Sequence, residues 1–222
     1  MSDTEYLNHI EIRVLGSLAE KEATTPDNYP LSLNSLVSAC NQLTSREPVL
    51  SLSEGEITEA IDSLVQKKLV GVIHQAGARV AKYEHRMRVK WMLEQNRLAV
   101  LTILMLRGWQ TAGEIRSRVG RLHEFASVTE VENCLDYLID KYPPMVARLP
   151  IAPGTKEPRY AHLLAGDEDS LDLGALASSS SGAAGKERGN ERLSQLEQEV
   201  QELRQQVQEL SAQLAEFRKQ FE

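Results

Sequence analysis

Aromatic residues, cysteines and long apolar runs are all scarce in this sequence, and each scarcity excludes a class of protein. Phe, Trp and Tyr make up 5% of the 222 residues, which indicates a modest hydrophobic core. No stretch approaches the roughly 18 consecutive apolar residues of a membrane span. The first 16 residues contain neither a basic segment nor an apolar segment of the kind found in leader peptides. We therefore expect a cytoplasmic protein without membrane contact.

The residues that usually carry chemistry are few and isolated. Cys40 and Cys134 are far apart in the sequence, no CxxC is present, and no histidine lies at metal-ligand spacing. The glycine-rich, HExxH and GxSxG motifs of common enzymes do not occur. His85 and His162 end two similar segments, which favours structural roles. We expect a protein that is not an enzyme, with no catalytic residue, metal, cofactor or disulfide.

The net charge of −7 is distributed unevenly along the chain. Residues 1–66 contain 3 basic and 11 acidic side chains, whereas residues 67–121 contain 12 basic and 3 acidic side chains. Such a basic segment is typical of proteins that contact phosphates. The overall acidity therefore does not exclude nucleic acid as a partner.

Two halves of the chain repeat one pattern of apolar residues. In the first helix of each half, Val14, Leu15 and Leu18 match residues 100, 101 and 104. In a short second helix, residues 36, 40 and 43 match residues 115, 119 and 122. Third helices with matching apolar faces begin at Ser53 and Ser127, and each serine precedes a glutamate by three residues, as in a capping box.

A β-hairpin is predicted after each third helix, from β-rich runs on either side of a glycine-containing turn. Three helices followed by a hairpin, twice, predict a mainly α fold with small β-hairpins, of the α+β class, arranged as tandem winged-helix domains. We assign residues 1–90 to the first winged-helix domain and residues 91–165 to the second. Trp91 and Trp109 either stack on bases or pack at the joint between these domains, and we expect packing.

Beyond the two domains, composition predicts a flexible linker over 166–190 and a coiled-coil helix over 191–222. The linker is rich in Gly, Ser and Ala. In the coiled coil, apolar residues alternate in steps of three and four, which indicates a parallel homodimer; an amphipathic helix folded back on its own domain is the alternative. The dimerisation residues would be Leu193, Leu196, Val200, Leu203, Val207, Leu210, Leu214 and Phe217.

The basic centre of the chain is the predicted nucleic-acid interface. A concentration of positive charge on one face would attract phosphates, and binding would weaken as salt is added. The residues that we expect to contact phosphates are Lys67, Lys68, Arg79, Lys82, Arg86, Arg88, Lys90, Arg116, Arg118 and Arg121.

Both third helices are acidic, which argues against sequence-specific reading of the major groove. In DNA-binding winged helices the third helix enters that groove, where carboxylates would be repelled by phosphates. Phosphate contacts through the hairpins and the connecting segment remain. The alternative is an adaptor that binds another protein through its winged-helix faces, without direct DNA binding.

One stretch also supports a family resemblance. The run "YPLSLNSLVSACNQLTSREPV" (Tyr29–Val49), with "LSE" at 52–54 and the later "RYAHLL", resembles the YceH-like family of uncharacterised bacterial proteins. The resemblance implies a tandem winged-helix fold and a cytoplasmic bacterial protein, and it implies no activity. Leu43 departs from the family pattern, in which a lysine is expected.

The same stretch contains polar residues that helix packing does not call for. They lie between the second and third helices, where a loop needs no particular side chain. We expect any binding surface for an unknown protein partner at this turn. The residues assigned to it are Asn41, Gln42, Arg46 and Glu47.

Overall fold

The computed structural model of the protein describes residues 6–74, 80–151 and 155–166. The elements of the first half are helix α1 (His9–Thr24), strand β1 (Leu31–Ser32), helices α2 (Leu33–Cys40) and α3 (Glu54–Gln66), and strands β2 (Val70–Ile73) and β3 (Lys82–His85). Those of the second half are helices α4 (Met87–Trp91), α5 (Gln95–Arg107), α6 (Ala112–Val119) and α7 (Val128–Asp140), and strands β4 (Val146–Arg148) and β5 (Tyr160–His162). The predicted combination of helices with small antiparallel sheets is confirmed.

Two predicted segments are not part of this description. The linker after Gly166 and the coiled coil with its dimerisation residues, Leu193 to Phe217, lie outside the described residues. Within the described residues, no helix has both the length and the apolar character needed to cross a bilayer.

The sheets are small and antiparallel. In the first half the strand order is β1-β3-β2. Tyr83 of the central strand β3 lies opposite Leu31 of β1 on one side and opposite Val72 of β2 on the other. In the second half β4 pairs with β5, and Gln110 forms an isolated bridge to Tyr160. This bridge occupies the same place in the order of elements as β1. A strand of two residues is too short to show the alternation of apolar and polar side chains that predicts strands, and β1 was therefore not predicted from the sequence.

Side-chain caps fix the starts of the main helices. The predicted capping box at Ser53 is complete, because its hydroxyl accepts from the N–H of Glu56 and the Glu56 carboxylate accepts from the Ser53 N–H. The box predicted at Ser127 is half formed, since the Glu130 carboxylate accepts from the N–H of Ala126 instead. Two further boxes, at residues 8 and 111, were not predicted.

Most of the repeated apolar positions form the core, as predicted. Val14, Leu15 and Leu18 have no exposed surface, and neither do their counterparts at positions 100, 101 and 104. The prediction for Leu43 is wrong, because its side chain is 82% exposed. Helix α2 ends at Cys40, so the helical period no longer determines which way residue 43 faces.

Helices α1 and α5, the first long helices of the two halves, pack directly against each other. They meet at Gly16, where an added Cβ would lie 2.9 Å from Cδ2 of Leu106. Buried residues of both halves form one hydrophobic cluster, and Trp91 packs against it. The boundary between residues 1–90 and 91–165 stays a prediction.

A buried ion pair joins α1 to the connection between α2 and α3 (residues 41–53). The guanidinium of Arg46 is fully buried and lies 2.6 Å from the carboxylate of Glu20. It also donates to the backbone carbonyls of Ala39 and Ser45 and to the amide oxygen of Gln42. Every N–H-bearing nitrogen of the guanidinium thus has a partner, as a buried charge requires.

We expect Arg46→Ala to lower the free energy of unfolding by about 3–5 kcal/mol, because the variant leaves the Glu20 carboxylate buried without its cation. Urea denaturation monitored by circular dichroism measures the effect. Arg148→Ala, at an exposed arginine, is the control and should change stability by less than about 0.5 kcal/mol. A loss within about 1 kcal/mol for Arg46→Ala would contradict a structural role for the pair.

Candidate nucleic-acid interface

The predicted connecting segment is a short helix. Helix α4 presents Arg88 and Lys90 to solvent, together with Val89, which is 83% exposed, and Arg86 is exposed directly before the helix. The helix ends at Trp91, because the next residue, Met92, has a left-handed φ of 52°. The basic residues of this segment therefore have a defined backbone position on the surface.

Glu22 of α1 holds this segment against the first half. Its Oε2 lies 3.0 Å from Nη2 of Arg88 and 3.0 Å from Nε2 of His85. The hydrogen bond from His85 is the largest influence that lowers the pKa of Glu22, and Arg88 adds to it. One carboxylate thus connects the end of β3 and helix α4 to helix α1. This hydrogen bond is a contact expected of a structural histidine, and the structural role of His85 stays a prediction.

Gln95, at the start of α5, connects α4 to the second half. Its Oε1 accepts from Nη2 of Arg88, and its Nε2 donates to the carbonyl oxygen of Leu122 at 3.4 Å. Leu122 directly follows Arg121 in the turn after α6. Two basic segments that are about 30 residues apart in the sequence are therefore brought side by side. We call this the α4–α6 surface, formed by residues 86, 88, 90, 116 and 121.

Two members of the α4–α6 surface keep their charge free for solvent. Lys90 and Arg121 are exposed, and no carboxylate lies within ion-pair distance of either among the described residues. Arg116 donates only to the backbone carbonyl of Ala126, at 3.1 Å, so its charge is not neutralised. Arg86 pairs with Glu84 at 3.5 Å and Arg88 pairs with Glu22, so the five basic residues still outnumber these two carboxylates.

Other basic residues predicted to contact phosphates have different positions. Lys67 is engaged inside the fold, because its ammonium binds the buried carboxylate of Glu11 at 2.8 Å. Arg118 is partly buried and donates to the amide oxygen of Gln110 at 2.8 Å. Lys68 is exposed, Lys82 lines a groove considered below, and Arg79 lies outside the described residues.

The third helices α3 and α7 have exposed acidic faces, as expected from the sequence. The exposed carboxylates are those of Glu54, Glu56, Glu59, Asp62, Glu130, Glu132, Asp136 and Asp140. These faces would repel the phosphates that line a major groove.

The residues assigned to a partner surface have roles inside the fold. Asn41 exchanges two hydrogen bonds of 2.8 Å with the backbone of Leu52, and Arg46 is buried with Gln42 as one of its acceptors. Glu47 lies 3.5 Å from Arg107. Our inference that packing requires none of these residues is wrong. Partner binding at this turn stays a prediction.

Neither cysteine is poised for chemistry. Burial raises the pKa of the Cys40 thiol to about 11, and burial also raises that of Cys134. Burial lowers the pKa of His162 to about 4, so its imidazole is neutral near pH 7. Among the described residues, no group of three or more His, Cys, Asp or Glu side chains could hold a metal ion.

The sequence did not identify Glu22 and Gln95, the two residues that position the α4–α6 surface. Glu22 binds Arg88, which lies 66 residues later in the chain, and Gln95 donates to the carbonyl of Leu122, which lies 27 residues later. The sequence offered only two weak indications of their roles. Glu22 is an acidic residue in the last turns of α1, and Gln95 is a polar residue that follows the basic segment.

We expect the stabilising effect of the Glu22 carboxylate to disappear on acidification. Its pKa is lowered by folding, so its contribution is present above the reference value of 4.5 and is lost as the pH falls through the folded-state pKa. The free energy of unfolding of Glu22→Gln should therefore lie below that of the wild type at about pH 7, and the gap should shrink below about pH 4.5. Urea denaturation across this range measures the gap. Glu59→Gln, at an exposed site on α3, should show no such trend.

Comparison with known proteins places the chain in a family. Residues 7–155 match the family described as "Protein of unknown function, DUF480". UPF0502 proteins from three bacteria are similar over nearly the whole chain. The protein from Herminiimonas arsenicoxydans is 60% identical over 95% of this chain and 89% of its own length.

The other two relatives extend this similarity. A protein from Azoarcus is 55% identical over 97% of this chain and 94% of its own length, and one from Citrifermentans bemidjiense is 51% identical over 97% and 98%. The prediction of membership in an uncharacterised bacterial family, made from Tyr29–Val49, is confirmed. The three UPF0502 relatives are bacterial proteins, and the chain itself belongs to the DUF480 family.

Proposed function

We propose that this protein is a non-enzymatic, cytoplasmic regulator with tandem winged-helix domains that binds duplex DNA through its phosphates. The observation that carries the proposal is the junction at Gln95, which holds Arg88 beside the turn that follows α6. This junction combines the basic residues of α4 and α6 into one surface. Contact with several phosphates at once requires such a surface.

The order of elements supports the winged-helix assignment. Each half consists of a helix, a short extended segment, two further helices and a hairpin, and the extended segment pairs with the last strand of that hairpin. The acidic faces of α3 and α7 argue against base reading by these helices. Phosphate contact through the α4–α6 surface is the mode of DNA binding that remains, and it predicts binding with little dependence on base sequence.

We expect Lys90→Glu combined with Arg121→Glu to weaken duplex binding strongly at low salt. Both residues are exposed and outside the Glu22 and Gln95 contacts, so the change removes charge without removing a structural bond. The slope of log affinity against log salt should fall by roughly 2 in magnitude, about one per lost phosphate contact. Fluorescence anisotropy with a labelled 20-base-pair duplex at several salt concentrations measures both quantities.

Lys156→Glu provides the control, since Lys156 is exposed in the connection between β4 and β5 and its substitution likewise reverses one positive charge. It should leave the salt slope unchanged. Thermal unfolding of each variant checks that the fold is retained. Absence of duplex binding by the wild type at low salt would refute the proposal.

An adaptor that binds another protein is the second candidate, and exposed apolar side chains favour it. Leu43 is 82% exposed, Val89 is 83% exposed and Met92 is 79% exposed. Apolar groups of this size at the surface are common at sites of protein contact. Absence of duplex binding at low salt by a correctly folded wild-type protein would favour this candidate.

We also propose that the protein is a parallel homodimer through residues 191–222. The proposal rests on the heptad spacing of Leu193 to Phe217 and on leucine at most of the d positions. In light scattering the full chain should therefore be a dimer, and a chain that ends after Gly166 should be a monomer. A shortened chain that still forms particles of two copies would contradict dimerisation through residues 191–222.

A further inference from the structure

A polar groove lies beside the α4–α6 surface, on the first half of the chain. It has a volume of about 510 Å³ and is lined by the last turn of α1, the turn that follows it, the start of α2 and strand β3. Its lining residues include two lysines, Lys21 and Lys82, and the hydroxyl residues Thr25, Ser32 and Ser35. Lys21 was not among the basic residues singled out in the sequence.

Strand pairing places a lysine and a hydroxyl together on one side of the groove. Ser32 of β1 and Lys82 of β3 are direct partners across the antiparallel pair, so their side chains lie on the same face of the sheet. The Ser32 hydroxyl lies 2.9 Å from that of Ser35. One hydroxyl donates to the other, so the pair keeps one O–H for a ligand on the same face of the sheet as Lys82.

The two lysines are not neutralised by the protein itself. Neither Lys21 nor Lys82 has a carboxylate within ion-pair distance in the described part of the chain. Asp27 also lines the groove, and it is exposed. Two positive charges and one negative charge leave the groove with a net positive charge. A bound anion would offset the repulsion between the lysines.

The groove is close to the α4–α6 surface. Lys21 directly precedes Glu22, which binds Arg88, and Lys82 lies three residues before His85, which binds the same carboxylate. Lys82 and His85 are separated by three residues of strand and so point to opposite faces of β3. The end of α1, where Lys21 and Glu22 are consecutive, is therefore the link between the groove and the α4–α6 surface.

We propose that this groove binds a backbone phosphate of the duplex whose other phosphates contact the α4–α6 surface. Lys21 and Lys82 supply the charge, and the hydroxyl pair of Ser32 and Ser35 supplies one hydrogen-bond donor. The volume exceeds the size of a single phosphate group and leaves room for the attached sugar. The inference rests on the proposed function and extends the DNA site to the end of α1, where no residue was assigned.

Variants with opposite expected effects test the groove. Lys21→Gln combined with Lys82→Gln should reduce duplex affinity at low salt and lower the magnitude of the salt slope by roughly 2. Asp27→Asn should raise affinity, since it removes the only carboxylate among the described lining residues. Lys156→Gln, which removes one positive charge at an exposed site away from the groove, is the control and should have little effect. Anisotropy with the labelled 20-base-pair duplex measures all four proteins.

Amide chemical shifts distinguish DNA from a free anion as the occupant. In the wild type, titration with the duplex should shift the N–H signals of Ser35 and Lys82, and the double lysine variant should lose these shifts. Shifts that appear with inorganic phosphate at constant ionic strength, but not with the duplex, would assign the groove to a small anion and overturn the inference.

The two proposals fail in different ways. If Lys90→Glu with Arg121→Glu reduces the salt slope while the Lys21 and Lys82 changes do not, DNA binding stands and the groove is not part of it. If the wild type binds no duplex at low salt, the proposed function fails, and the groove inference fails with it.

Discussion

The close packing of α1 against α5 is the constraint on which the other features depend. Gly16 permits it, because any side chain there would meet Leu106. The same segment of α5 accepts a backbone hydrogen bond of 2.9 Å from Glu47 through the Leu106 carbonyl oxygen, so the α2–α3 connection is fixed to it as well. With the two long helices in contact, only a short helix is needed to connect the halves, and this places the basic residues of α4 next to those that follow α6.

Charged residues occupy two kinds of environment in this fold. Some are largely buried and form ion pairs, as Arg46 does with Glu20 and Lys67 with Glu11, because a buried charge without a partner carries a large desolvation cost. Others are exposed basic residues without a carboxylate nearby, and these are available to bind other molecules. Separating the two groups requires the structure, since both consist of the same residue types. The net charge of the whole chain therefore says little about its partners.

Local signals in the sequence predicted most of the fold. The long helices, both hairpins and the cap at Ser53 follow from apolar periodicity, glycine-containing turns and the spacing between serine and glutamate, all of which act over a few residues. Strand β1 and helix α4 were missed because two and five residues are too short to show a period. The burial of Arg46 was missed because arginine is usually exposed, and its partner Glu20 lies 26 residues away.

The basic site was predicted only as a set of residue types. The sequence supplied its members but not the contacts that arrange them, and it gave no sign that Lys67 pairs with the buried Glu11. A hydrogen bond near the two ends of the described region has one more consequence. The N–H of Leu7 donates to the carbonyl oxygen of Leu164 at 2.8 Å. During synthesis on the ribosome, residue 7 emerges long before residue 164, so this bond and the final position of β5 form only after nearly the whole folded region has been translated.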